Sequence, residues 1–486
     1  MAYKLRSYQE ECVKSISSYI NSDRNDPVLV IGPVGCGKSL LIAEAARLMG
    51  DKTLVLQPSK ELLQQNYDKL TSYGIPATIY SASCGKKELS NMIYATLGSV
   101  KKVIGQLNEM GIRNVLIDEA HAGYSPEDGS EFMTFMNELK PKKVIGFTAT
   151  PCRLKSMSIG QVSYSQLNFI TRMRPVYFKN LIHVIQVEEM IRQGFWTPLK
   201  YETWDFNGDA LKLNSNGSEY TAESISEAVR KNGLNNLILR RLMVLKDVCR
   251  SILVFMDSVE SCNTAAEWMN AKICAGMAEV VHGGTPKKQR EAIVEGFKSG
   301  GTRVVFNYSA LGTGFDHPGL DCVIVGRPTF SFSSFYQWLG RAVRIKDGKD
   351  SALVVDCCNN SSRFGDIRKL SIENYKGYGW GMFIGDKLIT NIPMGDKVTK
   401  TDLDIKAAKK DRRRGLAQGV TAAPVPGRPD HPLGSTVMTF GKYCGWMLHS
   451  IPVSYFKFIN ETFDWDNDRN KDIKEYIDFL IKNNRL

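Results

Sequence analysis

Near the N-terminus lies a glycine-rich segment, GPVGCGKS, that spans residues 32–39 and directly follows an apolar run. In such a loop the glycines let backbone N–H groups turn toward a phosphate, and the helix that follows adds partial positive charge. Lys38 would bridge the outer phosphates, and Ser39 would offer its hydroxyl to Mg²⁺. The segment therefore predicts a nucleotide site whose phosphates are held by Gly32, Gly35, Gly37, Lys38 and Ser39.

Two adjacent acidic residues, Asp118 and Glu119, follow a second apolar run at residues 114–117. Carboxylates at the end of a buried strand cost free energy unless a charged partner meets them there. A Mg²⁺ ion carried by ATP is such a partner. Asp118 would hold the metal through its water shell, and Glu119 would orient and polarise the attacking water. We therefore expect Ser39 and Asp118 to be the metal ligands of a hydrolytic site.

These motifs need strands that deliver them to one edge of a sheet. Short apolar runs alternate with helix-length segments along most of the chain, which predicts parallel sheets with helical crossovers. The pattern occurs twice, and the runs are residues 28–31, 53–56, 114–117 and 144–147, then 251–255, 279–281, 303–306, 322–325 and 352–355. The sequence thus predicts an α/β fold with two parallel-sheet domains.

The boundaries follow from changes in composition. We expect the ATP-binding domain at residues 1–200 and the second α/β domain at residues 201–395. Residues 396–435 are basic and then rich in Gly, Pro and Ala, which is typical of a linker. Aromatic and apolar residues return at residues 436–486, which predicts a small C-terminal module.

The segment DEAH at residues 118–121 resembles the second motif of the DEAH-box helicases of superfamily two. FTATP at residues 147–151 resembles their third motif, and LRSYQ at residues 5–9 resembles their adenine-reading element. Residues 57–65 and 96–99 resemble the motifs that track a nucleic-acid strand through its phosphates and sugars. The resemblance implies base contacts from Arg6 and Gln9, and coupling or strand contacts from His121, Thr148, Thr150, Pro58, Gln65 and Thr96.

Two segments of the second domain extend the resemblance, which covers about residues 1–360. GTGFD at residues 312–316 resembles the fifth motif and implies that Gly314 and Asp316 belong to the nucleotide site. QWLGRAVR at residues 337–344 resembles the sixth motif and implies a coupling role for Gln337. Arg341 and Arg344 share one helical face, and in such motors they point across the interdomain cleft at the γ-phosphate. The resemblance implies two tandem RecA-like domains that use ATP and Mg²⁺.

The residues of the sixth motif indicate which nucleic acid is the substrate. Ala342 and Val343 stand where many RNA-directed relatives carry a glycine before the final arginine. This part looks more like phage recombination helicases and restriction or repair translocases, so the resemblance favours DNA over RNA and forked or branched DNA as the substrate. A double-stranded DNA translocase without strand separation, an RNA helicase and the motor subunit of a restriction system remain alternatives. Intact motifs argue against a non-enzymatic scaffold.

The C-terminal segment resembles a small module found on some exonucleases and phage proteins, on the evidence of residues 439–446 and 451–456. Its aromatic residues, with Lys442 and Lys457, could stack on a strand, or they could form a small aromatic core. Replication or recombination proteins are its other candidate partners.

Composition agrees with a polyanionic partner, because 63 Lys and Arg against 51 Asp and Glu give a formal charge of +12. The sequence contains no apolar run of the about 20 residues that span a bilayer. We therefore expect a cytoplasmic protein without a membrane partner, in the host cytoplasm if it is phage-encoded. The eleven cysteines lack metal-site spacing and are interpreted as buried apolar residues.

Overall fold

Apolar runs of four to six residues form most strands of two largely parallel sheets in the computed structural model. The model describes residues 4–127, 129–159, 162–311, 315–407, 432–439, 443–462, 465 and 470–483. Gly314, Lys442 and the basic residues 409–414 lie outside the described residues.

The first lobe contains an eight-stranded sheet. Its strands are β1 (Val28–Ile31), β2 (Thr53–Leu56), β3 (Thr78–Ser81), β4 (Lys86–Lys87), β5 (Met92–Ala95), β6 (Asn114–Ile117), β7 (Lys143–Thr148) and β10 (Asn180–Val184). Between β7 and β10 the chain forms a separate antiparallel pair, β8 (Cys152–Ile159) and β9 (Val162–Phe169). The helices of this lobe are α1 (Ser7–Ile20), α2 (Lys38–Met49), α3 (Lys60–Thr71), α4 (Leu97–Val100), α5 (Ile104–Glu109), α6 (Glu131–Leu139) and α7 (Val187–Arg192).

The strand order of this sheet is β10-β1-β7-β6-β2-β5-β3-β4, and every neighbouring pair except β3 and β4 is parallel. Strands β1, β2 and β5 are buried along their whole length, which explains their continuous apolar sequence. Because β1, β7 and β6 are neighbours, the segments that follow their carboxyl ends meet at one edge of the sheet.

The second lobe contains a six-stranded parallel sheet in the order β11-β16-β15-β12-β14-β13. Its strands are β11 (Leu199–Thr203), β12 (Ile252–Phe255), β13 (Ala278–His282), β14 (Val304–Tyr308), β15 (Cys322–Val325) and β16 (Ala352–Asp356). Its helices are α8 (Ala222–Lys231), α9 (Leu234–Val248), α10 (Val259–Lys272), α11 (Lys287–Ser299), α12 (Phe332–Leu339) and α13 (Asn360–Phe364). The two parallel sheets confirm the predicted α/β fold.

An antiparallel extension follows the second lobe and contacts the first. It contains β17 (Leu370–Tyr375), β18 (Gly379–Ile384) and β19 (Lys387–Leu388), and a short strand β20 (Val398–Thr399) follows. The Gln186 side chain, at the start of α7, donates to the carbonyl of Ile372 at 2.7 Å and accepts from its N–H at 3.2 Å. The N–H of Asn391 donates to the carbonyl of Leu167 in β9. Both lobes and the extension therefore form one compact unit, Met1–Tyr375 and Gly379–Val398.

Lys376–Tyr378 and Thr399–Leu486 form a second compact unit. Residues 400–407 of this unit are helical, and α14 (Val453–Thr462) and α15 (Lys471–Lys482) follow. Its core is built from Met438, Leu448, Ile451, Phe456, Ile459, Ile473, Tyr476, Ile477 and Leu480. Among the described residues of the whole chain, each helix is either too short or too polar to cross a bilayer.

Candidate active site

The loop at residues 32–37 joins β1 to α2 with the geometry that its glycines allow. Gly35 and Gly37 have φ angles of +80° and +82°, a region that side chains with a Cβ rarely adopt. A Cβ on Gly37 would also lie 2.6 Å from Nε2 of Gln9. Helix α2 begins at Lys38 without a side-chain cap, so its first N–H groups are available to an anion.

The acidic pair lies at the carboxyl end of β6, next to this loop. The carboxylate of Asp118 is buried and accepts hydrogen bonds from Nδ2 of Asn66 and from the N–H of Glu119, both at 2.8 Å. Oε1 of Glu119 lies 3.6 Å from Nζ of Lys38. Burial works against the charge of Lys38, but Glu119 and the other nearby anionic groups raise its pKa above the usual value. The three groups form one charged cluster, in which Asp118 is buried and Lys38 and Glu119 are partly buried.

The donor set fits a Mg²⁺ ion delivered with a triphosphate. Burial and the neighbouring charge of Glu119 raise the pKa of Asp118, so added positive charge would stabilise its carboxylate. Within the described part of the chain, no group of three or more His, Cys, Asp and Glu residues could enclose a metal. Mg²⁺ at nucleotide sites commonly uses one or two protein ligands and the phosphates themselves, which is the arrangement that Asp118 and Ser39 offer.

A histidine links the acidic pair to β7. Nδ1 of His121 lies 2.7 Å from Oγ1 of Thr148 and 3.3 Å from Oε2 of Glu119. Its Nε2 lies 3.1 Å from Oγ1 of Thr150. Burial lowers the pKa of His121, although Glu119 opposes this effect, so the ring is neutral at pH 7 and can both donate and accept.

Ser333 extends this network into the second lobe. Its Oγ lies 3.1 Å from Nε2 of His121 and 3.1 Å from Oγ1 of Thr150. Ser333 was not predicted from the sequence. Its position one helical turn before Gln337 on α12 was the available signal, because residues four apart share a helical face.

Two arginines follow α12 and share one acceptor. Nη1 of Arg341 and Nη1 of Arg344 donate to the carbonyl of Phe315, at 2.6 and 2.8 Å. Arg344 also forms an ion pair with Oδ1 of Asp316 at 2.6 Å. Burial and the charge of Arg344 lower the pKa of Arg341, whereas the charge of Glu119 in the other lobe raises it. The guanidinium of Arg341 is thus within electrostatic reach of the acidic pair.

Residues from both lobes line a single cleft with a volume of about 470 Å³, within the usual range for small-molecule sites. The structure brings most of the predicted nucleotide-site residues to this cleft, namely Arg6, Gln9, Gly35, Gly37, Lys38, Ser39, Asp118, Glu119, Asp316, Arg341 and Arg344. Gln337, which was predicted to have a coupling role, also lines it.

Arg6 and Gln9, the two residues expected to contact the base, have partners within the protein in this structure. The guanidinium of Arg6 lies 4.5 Å from the centroid of the Phe195 ring. The amide of Gln9 donates to the carbonyl of Cys36 at 2.9 Å and accepts from the N–H of Arg6 at 3.0 Å. In this structure Gln9 therefore fastens the phosphate loop to α1. Phe195, which the sequence analysis did not identify, also lines the cleft.

The remaining predicted residues, Gly32, Gln65, Pro58 and Thr96, have different surroundings. Gly32 is buried, and a Cβ there would meet Sγ of Cys36 at 2.6 Å. Gln65, which was expected to contact a nucleic-acid strand, lines the cleft, and its Nε2 lies 3.5 Å from Oγ of Ser39. Pro58 is exposed after β2. Thr96 lies after β5, and its hydroxyl contacts those of Ser99 and Ser81 at 3.0 and 3.3 Å.

Two family models match the chain in order. Residues 2–153 match the model described as "Type III restriction enzyme, res subunit", and residues 235–346 match "Helicase conserved C-terminal domain". The first range contains the phosphate loop and the acidic pair, and the second contains residues 340–344, which we call the arginine segment.

Two curated relatives align with about seven tenths of the chain. A 51.5 kDa protein of a Lactococcus phage is 24% identical over 68% of this chain and 65% of its own length. The putative ATP-dependent helicase IRC3 of Saccharomyces cerevisiae is 23% identical over 74% of this chain and 52% of its own length. The chain thus spans between half and two thirds of the length of these relatives.

A solved structure described as an ATP-dependent Type ISP restriction-modification enzyme, LlaBIII, bound to DNA superposes with a TM-score of 0.55. It is 17% identical and covers 73% of this chain and 28% of its own. The fold is therefore that of tandem RecA-like helicase domains.

Proposed function

The chain belongs to helicase superfamily two, and we propose that it is an ATP-driven DNA motor, a helicase or translocase that acts on forked or branched DNA. The observation that carries this proposal is the composite cleft. One lobe supplies a phosphate loop with Lys38, Asp118 and Glu119, and the other supplies Arg341 and Arg344. Hydrolysis there would depend on how the lobes are placed, which is what a motor requires.

The roles of the cleft residues follow from their positions. The loop N–H groups and Lys38 would hold the phosphates, and Ser39 and Asp118 would hold Mg²⁺, which supplies charge neutralisation when bound. Glu119, kept ionised by Lys38, would orient the attacking water. Arg341 and Arg344 would exchange the carbonyl of Phe315 for the γ-phosphate, because a full negative charge attracts a guanidinium more strongly than a carbonyl dipole does.

DNA contacts are proposed for a face other than the cleft. The partly exposed hydroxyl groups of Thr96 and Ser99 follow β5, and the exposed Pro58 follows the neighbouring strand β2. Hydroxyls are suited to phosphate contacts that position a nucleic-acid strand without reading its sequence. In this proposal residues 1–200 and 201–395 are the two motor domains, and residues 436–486 are an accessory module joined by the linker. The protein would work in the cytoplasm, in a host cell if it is phage-encoded.

The DEAH subtype and the likeness to phage branch-migration helicases belong to the same proposal. They are supported by the DEAH segment and by the relative from a Lactococcus phage. A second candidate, the motor subunit of a restriction system, is favoured by the match of residues 2–153 to a restriction-enzyme model. That candidate requires a nuclease partner.

A panel of nucleic acids tests the proposed substrate. Single-stranded DNA, duplexes, forks, four-way junctions and RNA hybrids are compared for stimulation of ATP hydrolysis, for unwinding and for triplex displacement. We expect stimulation by DNA and unwinding of forks or junctions. Stimulation by RNA alone would contradict the DNA assignment, and triplex displacement without unwinding would favour the double-stranded DNA translocase.

The network at His121 predicts how hydrolysis is coupled to DNA. Ser333→Ala removes a hydroxyl that joins the second lobe to His121 and Thr150. We expect DNA stimulation of ATP hydrolysis to fall roughly tenfold, the factor expected for one lost buried hydrogen bond. The measurement is the ratio of kcat with and without DNA.

Ser334→Ala is the matched control for this variant. Its hydroxyl contacts only the hydroxyl of Ser331 among the hydrogen bonds described, at the start of the same helix. Equal stimulation ratios in Ser333→Ala, Ser334→Ala and the parent protein would show that the contact between the lobes does not transmit the DNA signal.

A further inference from the structure

The segment between α7 and β11 passes beside the cleft as it joins the two sheets. Residues 195–197, which we call the linker tripeptide, are Phe195, Trp196 and Thr197. Trp196 is 2% exposed, and its Nε1–H donates to the carbonyl of Val34, inside the phosphate loop, at 2.8 Å. Its ring lies 3.6 Å from the position that a Cβ on Gly35 would occupy. Trp196 thus contacts the phosphate loop without lining the cleft.

Thr197 supports the arginine segment in the same way. Its N–H donates to the carbonyl of Val343 at 2.7 Å, and its Oγ1 donates to the carbonyl of Arg344 at 2.7 Å. Nζ of Lys349 also donates to the carbonyl of Arg344, at 2.8 Å. Because Thr197 is 2% exposed, water does not compete for these bonds.

The two supported segments also touch each other. A Cβ on Gly340 would lie 2.5 Å from Cγ2 of Val34, so a glycine is required where the arginine segment meets the phosphate loop. Phe195 completes the arrangement, since its ring lies in the cleft against Arg6 and packs edge-on against Tyr8 with centroids 5.2 Å apart. Phe195 therefore contacts Arg6 in the cleft, Trp196 contacts the phosphate loop, and Thr197 contacts the arginine segment.

We propose that the linker tripeptide positions the two halves of the ATP site relative to each other, with Trp196 fixing the phosphate loop and Thr197 fixing the arginine segment. This inference rests on the proposed function, because it assumes that the cleft hydrolyses ATP. Adjacent Cα atoms are 3.8 Å apart, so the chain changes from one lobe to the other beside the site itself.

The proposal separates two kinetic parameters. Loss of the Trp196 bond disturbs the loop that binds phosphates, so we expect Trp196→Phe to raise KM for ATP about tenfold, the effect of an unsatisfied buried carbonyl. Loss of the Thr197 hydroxyl disturbs groups that act in the transition state, so we expect Thr197→Val to lower kcat about tenfold with KM within about twofold of the parent value.

The experiment measures kcat, KM and the melting temperature of the full chain with DNA present, for Trp196→Phe, Thr197→Val, Thr197→Ser and Lys38→Ala. Thr197→Ser keeps the hydroxyl and should restore kcat. Unchanged kcat and KM in both Trp196→Phe and Thr197→Val would overturn the proposal, and so would equal losses of both parameters that follow a lowered melting temperature. If Trp196→Phe does not fold, the test is the kcat ratio of Thr197→Val to Thr197→Ser. A ratio of about one tenth supports the proposal, and a ratio near one overturns it.

Lys38→Ala separates this inference from the proposed function. If Lys38→Ala loses hydrolysis while Trp196→Phe and Thr197→Val keep the kcat and KM of the parent protein, only the inference about the linker tripeptide is overturned. Full hydrolysis in Lys38→Ala would overturn the proposed function itself.

Discussion

Replacing Lys38 with alanine is expected to lower DNA-stimulated ATP hydrolysis at least about a thousandfold, the scale on which removing a preorganised charge from a transition state acts. The ammonium lies at the first position of α2, 3.6 Å from the carboxylate of Glu119. It is therefore placed both to bind the outer phosphates and to keep Glu119 ionised. Steady-state hydrolysis of ATP at saturating single-stranded DNA measures the effect.

Glu119→Gln is the companion variant, because it removes the charge and keeps the shape of a residue that lies in left-handed backbone, with φ at +46°. It should lose hydrolysis on the same scale. Lys231→Ala is the control, since that ammonium pairs with Glu227 on the surface of α8. Hydrolysis at the parent rate by Lys38→Ala or by Glu119→Gln would show that the site is wrongly assigned.

Arg344→Ala is expected to bind ATP with nearly the parent affinity and to lose turnover by about a thousandfold, the lower end of the range for an arginine that stabilises phosphoryl transfer. Its guanidinium is held by the carbonyl of Phe315 and by Asp316, and not by the phosphate loop. Ground-state binding should therefore depend little on it. Equilibrium binding of a fluorescent ATP analogue and single-turnover hydrolysis separate the two effects.

Arg344→Lys refines this prediction. Lysine keeps the charge but lacks the planar fork of donors, so we expect turnover between those of the alanine variant and the parent protein. Loss of nucleotide affinity in Arg344→Ala, with hydrolysis of the bound fraction unchanged, would contradict a role across the cleft.

The parts of the site that could be predicted from the sequence are local motifs. The phosphate loop and the acidic pair each follow a short apolar strand, and parallel pairing brings their carboxyl ends to one edge of the sheet. Arg341 and Arg344 both line the cleft, but the prediction that they share a helical face was wrong, because α12 ends at Leu339 and they lie in the turn that follows it. Such features depend on residues close together in the sequence, so a single chain is enough to identify them.

Contacts between distant segments could not be predicted in this way. Ser333 and His121 are 212 residues apart, and Trp196 and Val34 are 162 apart. A serine in a helix and a tryptophan in a connection are ordinary core or surface residues until the packing of the lobes is known. The position of Gln65 also depends on packing. Its motif suggested a contact with a nucleic-acid strand, whereas the direction of α3 brings it to the cleft.

A structure of the protein with Mg²⁺, single-stranded DNA and the transition-state mimic ADP·aluminium fluoride would test the composite site most directly. The account predicts nucleotide phosphates on the loop at residues 32–39 and guanidinium nitrogens of Arg341 and Arg344 at about 3 Å from the fluoride ligands. Nucleotide bound in that loop while both guanidinium groups remain on the carbonyl of Phe315 and on Asp316 would contradict it.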